Sequence, residues 1–475
     1  MTKKLEKTLI VGGCIIFALI NCLLITKNIY WGLTLPLVIA AATLYIFAMD
    51  KVLLLISFLT PLAIEYDNIG FGIGLSLPTE PMLIVVMIIF ILRLLYDIHL
   101  DRNIIKHPIF ISVIFYLFWM LITSITSEIP IVSFKYLISQ SWFILPFYIF
   151  GTLLFKEEKN IFSFIRLYIY GLSLVIIYTV IHHAINGFTE QAGHWVMTPF
   201  YNDHTAYGAA LAFFFPAVIY FAFNKGFSFK SRFIHCAIFG IFIIAIVLSY
   251  GRAAWISILG SFCVAGAIWL RIKFKYILAG VIIVFGLFFS FQHQIIDYLE
   301  KNKQNSSANF VEHIRSISNI SSDASNLERI NRWQSAIRLF KARPVFGWGP
   351  GTYQFVYSPF QMSREKTIIS TNSGDQGSAH SEYLGPLADR GVLGLISILL
   401  IIIFGLYKGI KLYTKTEDKT TKGLIMICVL GIVAYSVNGI LNSFLETDKL
   451  AIPFWGYLAI ITSLDLRHNN RKKIV

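Results

Sequence analysis

Charged side chains are scarce in this chain of 475 residues. Asp, Glu, Lys and Arg make up 14% of it, whereas hydrophobic residues make up 56%; a typical soluble domain has about 25% charged residues. A chain this apolar is not a disordered one, because disorder goes with low hydrophobicity and high charge. It also argues against a soluble enzyme, because too few polar groups remain to cover a soluble surface. The composition predicts an all-α polytopic membrane protein.

Three further features are missing. The five cysteines lie inside apolar stretches without the spacing of metal ligands, so neither a disulfide framework nor a zinc site is predicted. No Asp-x-Asp pair occurs, so a metal-bound nucleotide-sugar site has no obvious ligands. No small-residue cleavage site follows the first apolar run, which is therefore predicted to be an uncleaved helix. We expect chemistry that needs no metal and no cofactor.

Long apolar runs recur along the chain instead. A membrane-spanning helix needs about 20 residues, and on this scale the sequence predicts about 14 spans. The predicted spans are 8–26, 29–49, 52–65, 81–98, 108–126, 135–155, 161–184, 205–223, 233–250, 253–270, 276–292, 391–410, 423–446 and 452–465. They divide the chain into helices within 1–292, one long polar and partly helical loop at 293–390, and helices with a tail within 391–475.

The positive charges predict the orientation. If the N-terminus is inside, Lys and Arg concentrate in the inner connections, and the short outer connections hold only Lys27, Lys135, Arg252 and Lys449. Cytoplasmic loops carry such an excess, so both termini are predicted inside and the long loop outside. The rule also accounts for the net charge of +14 without a nucleic-acid partner.

A helix is predicted in the second half of the long loop. Ser325 and Glu328 form a Ser-x-x-Glu capping box, apolar residues follow at helical spacing, and the helix should end before Pro344. Arg329 and Arg332 are neighbours on its surface. They fit either an anion clamp, because guanidinium groups fork onto phosphate oxygens, or an interfacial helix whose arginines touch lipid headgroups.

Other ionisable residues lie at the same predicted side. Arg252 sits in a tight hairpin between two spans, where an ionisable residue marks either a functional site or a side chain that reaches to the interface. His380 precedes the next span, and Glu382 and Asp389 either orient it or are solvated. Further candidates for binding sugar hydroxyls or the acceptor are Glu80, His194, Asn202, Asp203, His204, Thr205 and Tyr207. The alternative is that Asn202 or Asp203 simply caps a helix.

Three stretches carry a resemblance to a known family. They are SYGRAAW around Arg252, ERINRWQSAIRLFKARPVFGWGPGTYQF, and AHSEYLGPLADRGVLG. In this order they resemble the O-antigen ligase and O-antigen polymerase superfamily of bacterial membrane glycosyltransferases. The hairpin arginine of that family corresponds to Arg252, and its Arg four residues before Trp corresponds to Arg329 with Trp333. Its Pro-x-x-Gly-x-Gly stretch corresponds to Pro344, Gly347 and Gly349. Its His-Asn/Ser-x-x-Leu motif corresponds to His380, Ser381 and Leu384.

The resemblance implies a reaction and its site. A glycan would pass from undecaprenyl diphosphate to an acceptor hydroxyl, in a ligase that of lipid A-core, at the periplasmic face of the inner membrane. His380 would accept the proton, and Arg252, Arg329 and then Arg332 would bind the diphosphate. Candidates for substrate binding are Tyr250, Asp203, His204, Glu80 and Glu382.

Several alternatives stay open at this point. A polymerase would extend the lipid-linked glycan, and an oligosaccharyltransferase would modify protein Ser or Thr; both use the same leaving group. Ligases of this family typically have about 12 spans, and many members have Glu where this chain has Asp389, so the branch is not fixed. A lipid-linked glycan flippase is disfavoured, because it has no need of the long outer loop.

Overall fold

Helices make up most of the described chain, as expected where only a helix satisfies its own backbone groups in lipid. The computed structural model describes residues 3–28, 30, 34–66, 74–96, 100–280, 282–283, 286, 328–366, 370 and 377–474. These residues form two units, Met1–Leu53 and Leu54–Val475. The first part of the predicted outer loop, including the capping residue Ser325, lies outside the described residues.

The first unit consists of α1 (Lys3–Thr26), α2 (Leu35–Phe47) and the start of α3 (Met49–Leu59). Pro36 lies in the first turn of α2, where its missing N–H has no helical partner to lose. Leu, Ile and Val side chains are exposed along α1. An apolar surface of this kind suits contact with lipid.

The second unit begins within α3 and continues with a 3₁₀ turn at Thr60–Leu62. A small antiparallel hairpin follows, with β1 (Ile64–Tyr66) and β2 (Leu75–Leu77) paired Ile64 to Leu77. The remaining helices are α4 (Thr79–Tyr96), α5 (Arg102–Ile105), α6 (Pro108–Ile125), α7 (Pro130–Ile144) with a π-helical stretch (Leu145–Phe150), α8 (Gly151–Leu154), α9 (Glu158–Ile185), α10 (Glu190–Gly193), α11 (His204–Phe223), α12 (Phe229–Leu248), α13 (Arg252–Trp269), α14 (274–280), α15 (328–342), α16 (Tyr353–Val356), α17 (Leu384–Lys415), α18 (Lys419–Asn438) and α19 (Asp448–Ile474).

Ten helices in the described part of the chain are long and apolar enough to cross a membrane. They are α4, α6, the continuous stretch Pro130–Leu154, α9, α11, α12, α13, α17, α18 and the stretch Asp448–Asn470 of α19. The prediction of an all-α polytopic membrane protein is confirmed. The count of about 14 stays a prediction, because 8–26, 29–49 and 52–65 are not among the ten and 276–292 lies largely outside the described residues.

Helix α19 is the most buried of these spans. It contacts α7, the π-helical stretch, α8, α17 and α18. Its Trp455 packs against the rings of Tyr116 and Tyr148, with centroid distances of 6.0 and 6.5 Å. Dense packing of this kind makes a rigid support, on which the polar ends of the helices are held.

At each end of the helix bundle, connections that the positive-charge rule assigns to the same side of the membrane lie together. At one end Asp465 pairs with Lys408 at 3.0 Å and with His107 at 3.2 Å, and all three lie toward predicted inner connections. At the other end Asn202 donates to Glu65 of the hairpin at 2.7 Å. The predicted outer connections therefore meet one another, and the candidate site lies there.

Candidate active site

The carboxylate of Asp389 fixes the glycine-rich loop. It accepts hydrogen bonds from the backbone N–H groups of Gly351 at 2.9 Å and Tyr353 at 3.0 Å, and the Asp389 carbonyl accepts one from Gly349 at 2.7 Å. Gly347 has φ +68, and a Cβ there would lie 2.4 Å from the Asp389 backbone. Only glycine combines this conformation with so close an approach. The second and third motifs thus form one folded piece.

Arg332 braces helix α15 against this piece. Its Nε donates to Glu328 Oε1 at 2.9 Å, and its Nη1 to the Ser378 carbonyl at 3.4 Å. The guanidinium also lies 4.9 Å from the centroid of the Tyr357 ring, and the residue is 5% exposed. The contacts give Arg332 a structural role in the folded loop.

Arg329, one turn away, belongs to a different group of side chains. Burial lowers the pKa of Arg329, and the carboxylate of Asp203 opposes this shift. Arginine keeps its charge in such surroundings. The guanidinium acts electrostatically on His380 and on His204. Helix α15 and the start of α11 therefore contribute to one cluster at the outer end, which we call the Arg329 cluster (His194, Asp203, His204, Arg329 and His380).

His380 is held in a neutral form within the Arg329 cluster. Its φ of +47 is unusual for a residue other than glycine, and its N–H donates to Ser378 Oγ at 3.2 Å. Burial first, and then the charges of Arg329 and Arg332, lower the pKa of His380 to about 4. At neutral pH the imidazole therefore has a free lone pair that can accept a proton.

Asp203 and His204 begin helix α11 beside this histidine. Asp203 Oδ1 accepts from the backbone N–H groups of Thr205 at 2.8 Å and Ala206 at 2.9 Å, which is an N-cap. The rings of His204 and His194 stack with their centroids 4.3 Å apart. Asp203 thus caps the helix and also places a negative charge near Arg329.

The hairpin before helix α13 lies at the same end. Tyr250 has φ +49, and a Cβ on Gly193 would come within 2.6 Å of the Tyr250 ring. The Cβ position of Gly251 is 3.9 Å from the His204 carbonyl oxygen. Arg252 follows as the exposed first residue of α13. Gly251 therefore lies close to the backbone of His204, and the ring of Tyr250 packs against Gly193.

A cavity of about 490 Å³ adjoins His380. Ala379 and Ser381, its neighbours in sequence, both line this cavity. The other side belongs to the hairpin, α4, α7 and the connection between α18 and α19. Its charged lining residues are Glu65, Glu80, Lys135, Glu382, Asp389, Arg390 and Glu446.

Two of the predicted residues are tied into the wall of this cavity. Glu382 Oε1 accepts from the Tyr435 hydroxyl and from the backbone N–H groups of Phe444 at 2.7 Å and Leu445 at 2.9 Å. Glu80 accepts from the Ser76 N–H at 3.0 Å. Both carboxylates hold backbone segments in place, and neither belongs to the Arg329 cluster.

Arg390 and Glu446 line the same cavity. Arg390 is 3% exposed, lies 4.8 Å from the Tyr116 ring centroid, and its Nε and Nη1 have no hydrogen-bond partner in the described part of the chain. Glu446 is exposed and lines the cavity together with Tyr136. Desolvation by the surrounding protein first, and then the carboxylates of Glu382 and Asp389, raise the pKa of Glu446 to about 8.

The chemistry of the Arg329 cluster suits an anion. Guanidinium and imidazole groups bind phosphate oxygens. Among the described residues no three His, Cys, Asp or Glu side chains lie close enough together to hold a metal ion. Chemistry without a metal stays a prediction.

The comparison with known proteins bears on the motifs. Residues 237–399 match the family model described as O-antigen ligase. The resemblance to the O-antigen ligase and O-antigen polymerase superfamily is confirmed. An uncharacterized protein of Haemophilus influenzae is 30% identical over 139 residues, which is 29% of this chain and 29% of the length of that relative.

The O-antigen ligase match includes six of the nine predicted site residues and excludes the other three. Inside it lie Tyr250, Arg252, Arg329, Arg332, His380 and Glu382, whereas Glu80, Asp203 and His204 precede it. The structure nevertheless brings Asp203 and His204 next to Arg329. The roles of all these residues in the reaction stay predictions.

Sequence reasoning missed Arg390 and Glu446 as site residues. Glu446 falls at the end of the predicted span 423–446, but α18 ends at Asn438 and a non-helical connection follows. Both residues are charged and lie at the edge of an apolar run, and such a residue is a candidate functional residue. The sequence alone did not show that the two side chains share a cavity.

Proposed function

We propose that the protein transfers a glycan from undecaprenyl diphosphate to an acceptor hydroxyl, with lipid A-core as the acceptor, at the periplasmic face of the bacterial inner membrane. The observation that carries this proposal is the Arg329 cluster, in which the partly buried guanidinium of Arg329 acts electrostatically on the imidazole of His380. The cluster lies at the end of the bundle that is predicted to be outside. An acceptor hydroxyl and a lipid diphosphate can meet there.

The reaction assigns each of these groups a task. The acceptor oxygen attacks the anomeric carbon, and the bond from that carbon to the diphosphate oxygen breaks. The proton of the hydroxyl passes to His380. The electron pair leaves with undecaprenyl diphosphate, and its growing negative charge is stabilised by Arg329 and Arg252.

Donor binding should strengthen the base. In the empty site Arg329 and Arg332 hold down the pKa of His380. A bound diphosphate adds negative charge next to the same arginines, and a nearby negative charge raises the pKa of an imidazole. His380 therefore becomes a better proton acceptor only when the donor is in place.

Gene deletion in a host that makes O-antigen tests the proposal. A ligase defect leaves lipid A-core uncapped while full-length polymer accumulates on undecaprenyl diphosphate. Wild-type protein supplied from a plasmid should restore capping, and the His380→Ala variant, produced at the same level, should not.

Other outcomes would contradict the ligase assignment. Cores capped with a single repeat would indicate a polymerase instead, since the ligation step would then be intact. If lipid A-core is unchanged by the deletion, a loss of protein glycans would indicate an oligosaccharyltransferase. If protein glycans are unchanged as well, the function would be an unrelated one. Glycan analysis by gel and mass spectrometry distinguishes these cases.

A further inference from the structure

The cavity beside His380 differs in charge from the Arg329 cluster. Five carboxyl groups line it, against one lysine and one arginine. Desolvation raises the pKa of Glu446 to about 8 and also raises the pKa of Glu382, so this lining offers mostly neutral hydrogen-bonding groups, with one arginine and one lysine, to a diphosphate. The Arg329 cluster offers cationic and neutral nitrogen groups instead. The two regions therefore suit different parts of the reacting pair.

Arg390 indicates that the cavity has an occupant. The residue lines the cavity, is 3% exposed, and leaves Nε and Nη1 without a partner in the described residues. The indole Nε1 of Trp142, another lining residue, also has no partner. Buried donors are normally satisfied by protein, water or ligand. Three such donor nitrogens at one cavity call for acceptor oxygens.

The rest of the lining fits a saccharide. Trp142, Tyr136 and Tyr353 supply ring surfaces, and Ser443 and Thr447 supply hydroxyl groups. Sugar hydroxyls both donate and accept, so they match a wall that mixes N–H, hydroxyl and carboxyl groups. A volume of about 490 Å³ is within the usual range for small-ligand sites.

We propose that this cavity binds the acceptor sugar, that Glu446, Arg390 and Trp142 select it through its hydroxyl groups, and that the donor diphosphate lies at Arg329. The inference rests on the proposed function and adds where the acceptor lies. Ala379 and Ser381 line the cavity on either side of His380 in sequence. The base therefore stands at the edge of the cavity, within reach of a hydroxyl that points out of it.

Steady-state kinetics on full-length protein in nanodiscs tests the placement. The donor is a fluorescent undecaprenyl diphosphate glycan, and the acceptor is lipid A-core extracted from the deletion strain. We expect Glu446→Ala and Trp142→Phe each to raise the KM for the acceptor about tenfold, the effect of one lost hydrogen bond of typical strength. The KM for the donor should stay unchanged.

Matched variants keep the result interpretable. Glu417→Ala and Trp269→Phe make the same substitutions at exposed residues, Glu417 in a predicted inner connection and Trp269 at the inner end of the predicted span 253–270, and should leave both KM values unchanged. Trp142→Phe removes an N–H that bonds to nothing in the described protein, so it should fold normally. A thermal unfolding midpoint equal to that of the wild type confirms this.

Each other outcome overturns the inference. A raised KM for the donor alone would place the donor glycan in the cavity. A lower kcat with both KM values unchanged would give Glu446 a part in the chemistry rather than in binding. Unchanged kinetics in both variants would mean that water satisfies Arg390 and Trp142. Wild-type protein that transfers nothing would instead reject the proposed function, and the inference with it.

Discussion

The carboxylate of Asp389 accepts a hydrogen bond of 2.9 Å from the backbone N–H of Gly351. This bond joins the glycine-rich loop to the first turns of α17, where the chain returns to the bundle. Because α15 precedes the loop and His380 precedes α17, the same contact sets how Arg329 lies relative to His380. The motifs act as one structural unit although dozens of residues separate them.

Loss of this carboxylate should destabilise the protein. In Asp389→Ala two N–H groups, those of Gly351 and Tyr353, lose their acceptor, and each unsatisfied donor costs about 1–3 kcal/mol. We expect a clearly lower thermal unfolding midpoint in detergent and lost transfer. Asp389→Asn keeps one acceptor oxygen, so its unfolding midpoint should lie between those of the wild type and of Asp389→Ala. An Asp389→Ala midpoint equal to that of the wild type would contradict a stabilising role for these hydrogen bonds.

Arg252 and Arg329 should be needed for transfer rather than for insertion. Alanine at either position removes a cation that stabilises the leaving diphosphate, a loss of about 10² to 10³ in kcat by comparison with other electrostatic groups. Lysine should restore only part of the rate, because it offers a point charge instead of a planar fork. Transfer is measured in membranes with equal protein levels. Full activity of both alanine variants would contradict the proposal that these arginines bind the diphosphate.

Arg332 should behave differently from its neighbour on the helix. Its buried ion pair with Glu328 leaves an uncompensated charge when one partner is removed, which costs about 3–5 kcal/mol. Arg332→Ala should therefore lower the unfolding midpoint more than Arg329→Ala does. The double variant Glu328→Gln with Arg332→Met should recover part of the midpoint. Equal midpoints for the two single alanine variants would contradict the division of roles.

The sequence predicts the fold class and the motif residues because these follow from local patterns. Apolar runs mark the spans, and the spacing of Arg329, Gly347 and His380 carries the family resemblance. What it does not predict is which connections touch. The carboxylate of Asp203 acts electrostatically on Arg329 although the two residues lie more than a hundred positions apart. No local sequence pattern predicts that they come near each other.

Boundaries fail for a similar reason. The apolar run through Leu441 and Phe444 extends the predicted span to Glu446, but α18 ends at Asn438, and Glu382 accepts hydrogen bonds from the connection that follows. A tertiary contact, rather than local composition, ends that helix. The same contact turns Glu446 from a residue in a predicted span into a residue of the cavity.

Cysteine labelling tests the orientation. In a background without the five native cysteines, Ser363→Cys in the predicted periplasmic loop should react with an impermeant maleimide added to the outside of spheroplasts. Lys419→Cys, in a predicted inner connection, should react only after the membrane is opened. Both side chains are exposed in the structure, so access to the reagent differs by side alone. The reverse pattern would overturn the orientation and with it the periplasmic reaction.

The pH dependence of transfer tests His380 as the base. The neutral imidazole is the active form, so activity falls as pH drops through its pKa. Because burial and the arginines lower the pKa of His380 to about 4 in the empty site, kcat/KM for the donor should stay level through pH 6.5 and fall only toward pH 4. In kcat, which reports the bound complex, the fall should come at a higher pH, since the diphosphate raises the pKa. His380→Ala should lose about 10² to 10⁴ in rate.

The glutamine variant separates proton transfer from positioning. Gln keeps hydrogen-bonding groups of similar reach but takes no proton at neutral pH, so His380→Gln should be as slow as His380→Ala and should lose the acidic limb of the kcat profile. Donor binding should be largely kept in both variants. A fully active His380→Gln would reject the base assignment while leaving the transferase proposal intact. A kcat/KM profile that falls near pH 6.5 would instead show that the imidazole is not enclosed beside Arg329 and Arg332.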